Sequence, residues 1–118
     1  MKPDVLLTTK IFKPTQDVLE KEFACHRLYE ASDRAAFLKT VAPRIRAIAS
    51  FGSSVDAALM GALPKLEIIS NFGVGVDSID LGTAKQRKVT VTNTPDVLND
   101  CVADTAIALT LNIVRKFP

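Results

Sequence analysis

The residues of this chain best suited to chemistry stand between positions 70 and 80. Gly73 and Gly75 flank Val74, and Asp77 and Asp80 follow three residues apart. Glycines on either side of one residue let a backbone enter conformations closed to other residues and come close to a ligand. Successive amides in such a bend can converge on one anion. Asp77 stands where a helix N-cap is wanted, with Asp80 near the same helix start. The positive end of that helix would add to the attraction for a carboxylate. The same pattern equally makes a tight strand-to-helix turn that holds no ligand. It is not a dinucleotide fingerprint, because Ser78 occupies the place of the third glycine in G-x-G-x-x-G and Gly52 has no second glycine nearby.

Other reactive side chains offer less. His26 is the lone histidine; no carboxylate partner is evident from the sequence, and general acid–base work needs one in reach. Cys101, near a helix start, could have a lowered pKa, but burial in a helix interface is the simpler expectation. Arg44 and Arg46 read as solvated charge alternating along a strand edge. Lys10 follows the end of the first strand and is better placed for a site, although a surface role suits it as well. Cys25 and Cys101 form no CxxC pair, so neither a disulfide framework nor a zinc site has support.

The elements that must position these residues alternate along the chain. Val5 to Leu7 reads as a strand ending near Thr8-Thr9, and Pro14 suits the first turn of a helix carrying Val18, Leu19 and Phe23. A weaker strand is expected from Cys25 to Tyr29, then a helix capped by Ser32 and running to Pro43. Strands are expected at 45–50, 66–70 and 89–92, separated by helices from about Val55 to Leu63 and from about Ser78 to Arg87. A long helix follows, from Asn99 to Lys116. Five strand–helix alternations imply parallel strands with right-handed crossovers. The expected fold is α/β: a flavodoxin-like five-stranded parallel sheet, order 2-1-3-4-5, with helices on both faces. Ligands of such sheets bind beyond the carboxyl ends of the strands, where Thr8 to Lys10, Phe51 to Ser54 and Asn71 to Asp77 would gather.

Composition narrows the function classes. The 118 residues carry a formal net charge of +2, 47% apolar residues and no Trp. That charge is too small to argue for nucleic acid or an acidic membrane, and the aromatic content is too low for a base-stacking platform. The apolar run from Val102 to Val114 contains Asp104 and Asn112 and is too short for a membrane span. Met1 to Asp4 has no signal-peptide character, and a reducing, cytoplasmic setting is expected. The long helix is apolar nearly all round and must be covered nearly all round. One sheet face cannot do that, so a second domain or subunit is expected against it, and self-association of this chain with it.

Three stretches together resemble the D-isomer-specific 2-hydroxyacid dehydrogenases. They are Leu63-Pro64-Lys65-Leu66-Glu67-Ile68-Ile69-Ser70, the loop Phe72-Gly73-Val74-Gly75-Val76-Asp77, and Val91-Thr92-Asn93-Thr94-Pro95-Asp96-Val97-Leu98 through Val102-Ala103-Asp104. Within that family the Asn-Thr-Pro-Asp-Val-Leu segment is similar to glyoxylate/hydroxypyruvate and hydroxyphenylpyruvate reductases. The resemblance implies a substrate-binding domain over 1–98 and a long interdomain helix over 99–118 leading to a Rossmann domain that is absent here. It implies that the catalytic Arg, Glu and His lie outside this chain, that NAD or NADP serves the complete enzyme, and that none is bound by this portion alone. The backbone at Val74 and Gly75 would hold the carboxylate of a small 2-oxo or 2-hydroxy acid. Gly52 and Ser53 would line the opposite side of the cleft, Leu98 would form an apolar substrate wall, and Val102 would pack near the nicotinamide. A homodimer is expected, with no nucleic acid and no membrane as partner. Two other classes were weighed. A phosphoreceiver needs acidic residues after strand one and an acceptor Asp after strand three, where Thr8-Thr9 and Phe51-Gly52 stand instead. A non-catalytic flavodoxin-like binding or dimerisation module is the alternative that the residues leave open.

Overall fold

The computed structural model describes residues 2–117. Its strands are β1 (Asp4–Leu7), β2 (Ala24–Arg27), β3 (Ile45–Ser50), β4 (Ile68–Asn71) and β5 (Thr90–Thr92). All pairings are parallel, in the order β2-β1-β3-β4-β5. This is the expected flavodoxin-like sheet. The helices are α1 (Lys13–Glu22), α2 (Arg34–Val41), α3 (Ala57–Ala62), α4 (Leu81–Gln86) and α5 (Asn99–Arg115), with one 3-10 turn at Leu28–Glu30.

The sequence explains why the elements start where they do. Pro14 lies in the first turn of α1, where its missing N–H costs nothing. Asp33, Asp56 and Asp80 cap α2, α3 and α4, each carboxylate accepting the amide three residues on: Ala36 at 3.0 Å, Leu59 at 2.8 Å and Thr83 at 2.9 Å. The α2 cap is therefore Asp33 and not Ser32. The α4 cap is Asp80 and not Asp77. Asp77 and Ser78 form a turn, with Ile79 N on Val76 O, and residues 78–80 stay out of the helix because Val55 and Ile79 form a parallel bridge, with the Val55 amide on Ser78 O and the Asp80 amide on Val55 O. That bridge also takes Val55 out of the helix expected there. The second strand ends at Arg27, two residues early, where the chain coils into the 3-10 turn that buries Leu28.

The core is unequal on the two sheet faces. One holds Leu6, Leu28, Val41, Ile48, Met60, Leu63, Ile69 and Ala84 under α2, α3 and α4. The other holds Val5, Leu7 and Ile11, with Leu19 and Phe23 of α1 packed on them. Beyond α1 this second face stays partly open: Ile68 of β4 is 36% exposed, and an apolar hollow runs from Phe12 and Leu19 past Ala47 and Ile68 to Phe72. Helices thus lie on both faces, but one face is only half covered. The long helix α5 buries none of its residues. Val102, Ile107, Leu109, Ile113 and Val114 are all more than half exposed. Cys101 is exposed as well, contrary to the burial expected of it. No described helix is long and apolar enough to cross a membrane.

Candidate functional site

The loop at the carboxyl end of β4 is held by side chains on three strands. Ser50 and Asn71 are register partners at the ends of β3 and β4, and both are buried. Ser50 Oγ donates to Asn71 Oδ1 at 3.3 Å, while Asn71 Nδ2 donates to the carbonyls of Gly75 at 2.8 Å and Gly73 at 3.3 Å. After β5, the Thr94 amide donates to Gly73 O at 2.9 Å, and Asn93 Nδ2 donates to Val74 O at 2.8 Å. Three successive carbonyls, those of Gly73, Val74 and Gly75, therefore all accept from protein donors. In a trans peptide the N–H points opposite to the C=O of the same unit. The amides of Val74, Gly75 and Val76 are accordingly turned away from Asn71, Asn93 and Thr94, and among the described residues no oxygen accepts from them. Val74 and Gly75 are exposed. Bare amides on an exposed loop can receive an anion's oxygens in place of water.

The glycines serve closeness rather than unusual dihedrals. Neither Gly73 nor Gly75 has positive φ; among the glycines only Gly52 does, at 63°. A Cβ on Gly73 would stand 3.3 Å from Asn71 Nδ2 and 3.9 Å from Phe51 Cδ2. The expectation that both glycines adopt conformations closed to other residues is corrected, and close approach explains Gly73 instead. Asp77 lies on the exposed outer part of the loop.

Two loops meet here. Phe51 and Phe72 pack with ring centroids 5.7 Å apart at 59°, a tilted arrangement favoured by the ring quadrupoles. They join the 51–54 loop to the glycine loop. Thr8, buried at the end of β1, shares a 2.6 Å hydrogen bond with Ser53 Oγ and anchors the far side of the 51–54 loop. On the other flank Val74, Leu98, Asn99, Val102, Ala103 and Ala106 line an apolar hollow. Of the six residues singled out in the sequence, Val74, Leu98 and Val102 thus share one hollow and Gly75 lies beside Val74. Gly52 and Ser53 stand on the neighbouring loop, with Ser53 facing a separate recess that contains Thr8 and Arg34. Asn71, Asn93, Thr94 and Ser50 were missed. The signal for Asn71 was a polar residue in the buried phase of β4, next after Ile69.

His26 is not a bare surface histidine. Its Nε2 lies 2.7 Å from Asp4 Oδ1, and both side chains are mostly buried. The pair sits where β2 meets the first residue of β1, away from the glycine loop; β1 and β2 run parallel with His26 opposite Leu6. Arg44 Nε approaches the same carboxylate at 3.9 Å. Arg46 makes two 2.9 Å hydrogen bonds to Glu67 across β3 and β4. No group of three metal-ligating side chains occurs among the described residues.

A parallel α/β sheet with its binding loops at the carboxyl ends of central strands defines a ligand-binding α/β domain. The chain belongs to the D-isomer-specific 2-hydroxyacid dehydrogenases, whose catalytic-domain model matches residues 5–116. It is 42% identical over 113 residues to a glyoxylate/hydroxypyruvate reductase A of Arabidopsis thaliana, covering 95% of this chain and 36% of that protein. Its fold matches a 2-hydroxyacid dehydrogenase of Ketogulonicigenium vulgare Y25 at 46% identity and TM-score 0.90, over 95% of this chain and 36% of the other. It also matches an NADPH-dependent glyoxylate/hydroxypyruvate reductase of Sinorhizobium meliloti, solved with NADP and malonate, at 40% identity and TM-score 0.82, over 95% and 34%. The chain spans about a third of the length of these relatives.

Proposed function

We propose that residues 1–98 form the substrate-binding domain of an NAD(P)-dependent D-2-hydroxyacid dehydrogenase that reduces a small 2-oxo acid such as glyoxylate or hydroxypyruvate. Residues 99–118 form its interdomain segment, built on α5 (Asn99–Arg115) and leading towards a cofactor-binding domain outside these 118 residues. The observation that carries this reading is the row of amides at Val74, Gly75 and Val76 left without acceptors among the described residues while the carbonyls of Gly73, Val74 and Gly75 are all engaged.

Val74 and Gly75 hold the substrate carboxylate through their N–H groups. Gly52 borders the acid's other side, on a loop that Ser53 ties to Thr8, Phe51 and Phe72 exclude water beside it, and Leu98 gives the wall an apolar surface. Val102 offers an apolar patch, continued by Ala103 and Ala106, that suits one face of a nicotinamide ring. The pyrophosphate has no cradle in this chain, so the cofactor is held elsewhere and this portion alone binds none. When bound, the reduced cofactor supplies a hydride for the keto carbon. The residues present here contribute orientation, which lowers the barrier by fixing the acceptor carbon before transfer. The carboxylate grip by fixed amides costs little reorganisation. No residue of this chain takes a proton role in the reading, since His26 lies on the edge strand β2, away from the glycine loop.

The test has two arms. Mixed with NADPH and hydroxypyruvate, the chain should consume no NADPH; turnover would defeat the division of labour. Titrated with oxamate, a non-reducible 2-oxo acid analogue, the 15N-labelled chain should show its largest amide shifts at Val74 and Gly75. Shifts elsewhere, or none at millimolar concentration, would remove the carboxylate site.

The exposure of α5 supports a second feature, a homodimer of cytoplasmic protein in which apolar side chains of this helix are covered by a partner copy or the missing domain. A non-catalytic dimerisation module would share that helix but would leave the amides of the glycine loop without a ligand.

A further inference from the structure

We infer that Asn71 is a positioning residue: through its side-chain amide it fixes the peptide planes of the glycine loop so that the Val74 and Val76 N–H groups face the substrate, with Asn93 doing the same for Gly75. The inference rests on the carboxylate reading of that loop and names what builds the grip. Asn71 is 3% exposed and uses both donors and its oxygen: Ser50 on its oxygen, Gly73 O and Gly75 O on its nitrogen. A buried amide is committed to such partners, because a donor left unmade there keeps its whole desolvation penalty. Both carbonyls converge on one nitrogen. The peptide units 73–74 and 75–76 are therefore held with the same sense, and their N–H groups emerge on the opposite side. Asn93 holds the unit between them through Val74 O at 2.8 Å. Without these pins the carbonyls of Val74 and Gly75 have no donor among the described residues, and Gly73 O keeps only the Thr94 amide. The loop is then held at its ends, by Phe72 N on Ser50 O and Ile79 N on Val76 O, and glycines at 73 and 75 leave the backbone between them many alternatives. The pins exchange that freedom for amides that need no rearrangement when an acid arrives.

The experiment uses Asn71→Asp in the full chain, followed by amide NMR. The substitution is isosteric, but at neutral pH the carboxylate cannot donate to two carbonyls. The 15N relaxation of residues 73–76 should show a loop that has lost order, with the amide pattern of β1, β3 and α2 unchanged. Oxamate affinity should fall at least about tenfold, the equivalent of about 1.4 kcal/mol. A protonated carboxyl can donate one hydrogen bond, so affinity should recover in part as pH falls, a profile that the unsubstituted chain lacks. If the burial of a carboxylate unfolds the chain, Asn93→Ala carries the test. Asn93 is exposed, and its loss should loosen the loop and weaken oxamate while the sheet stays intact. A loop that keeps its order in these variants overturns the inference, and so does affinity that is unchanged despite lost order. Failure of the carboxylate reading itself is recognised separately, in the unsubstituted chain, by oxamate that shifts neither Val74 nor Gly75.

Discussion

At the scale of single residues, the glycine loop presents backbone groups that the side chains of Asn71 and Asn93 hold in place. Gly73 has ordinary dihedrals but a neighbour in the way, since a Cβ there would press on Asn71 Nδ2 at 3.3 Å. Gly73→Ala should therefore weaken oxamate binding more than it lowers thermal stability, as isothermal titration and melting curves would reveal together. Gly52 presents the opposite case. Its φ is 63° and nothing lies within 4 Å of a Cβ built on it. Gly52→Ala should destabilise by about 1 kcal/mol through backbone strain alone, and Gly52→Asn by less, because Asn tolerates the left-handed region. Denaturant midpoints would separate the two. The glycine–valine–glycine pattern was legible as an amide-rich turn before any coordinates. The reason for Gly73 was not, because it depends on a side chain two residues away folding back under its own loop. His26 was misjudged for a similar cause: its carboxylate, Asp4, lies on a neighbouring strand 22 positions earlier, and only strand pairing brings them together.

Elements were read more surely in their kind than in their ends. All five strands and five helices overlap the expected stretches, with β1, β2 and β4 each overrunning by one residue, since alternating apolar runs and helical repeats record burial directly. Their boundaries depend on competition for backbone partners. The Val55–Ile79 bridge delays α4 until Asp80 and leaves Asp77 outside it. Hydrogen bonds from Thr83, first from its amide and then from its hydroxyl, hold the Asp80 carboxyl below the ordinary value of 3.8. The Arg27 guanidinium, with help from Gln16, lowers Glu20 below 4.5. A depressed carboxyl favours the folded state while ionised. This stabilisation is complete above those ordinary values and disappears as pH falls through the lower folded ones. Asp80→Asn retains a capping oxygen but loses the charge and the acceptor for the Thr83 hydroxyl, so its urea midpoint should lie below the parent's near neutrality, with the gap closing in acid. Equal acid sensitivity in the two proteins would show that the cap carries no linkage.

For the molecule as a whole, the division between a packed sheet and a bare helix is the dominant fact. Leu6 is fully buried at the centre of the larger core, and Leu6→Ala should cost about 2–5 kcal/mol, measured by chemical denaturation. Alpha helix 5 is the reverse: its apolar surface contributes nothing to the stability of this chain and exposes a patch of the kind that promotes association. Light scattering should find dimers or larger species, and replacing Ile107 and Ile113 by Glu should shift the population to monomer with little change in melting temperature. A monodisperse parent monomer would contradict this. The demand for a cover was legible from a helix apolar on nearly every side, whereas which surface supplies it lies beyond a single chain.

On the proposed function the acid group is held by main-chain hydrogens, and that would have an evolutionary consequence. Replacing Val74 with another side chain leaves its N–H in place, so drift at the contact position cannot readily erase recognition of the acid group. Changes in which acid is preferred are free to accumulate at Leu98 and Phe51, whose bulk faces the variable end of the molecule on this reading. A scaffold arranged in this way can diversify its clientele while conserving the handle that all of them share.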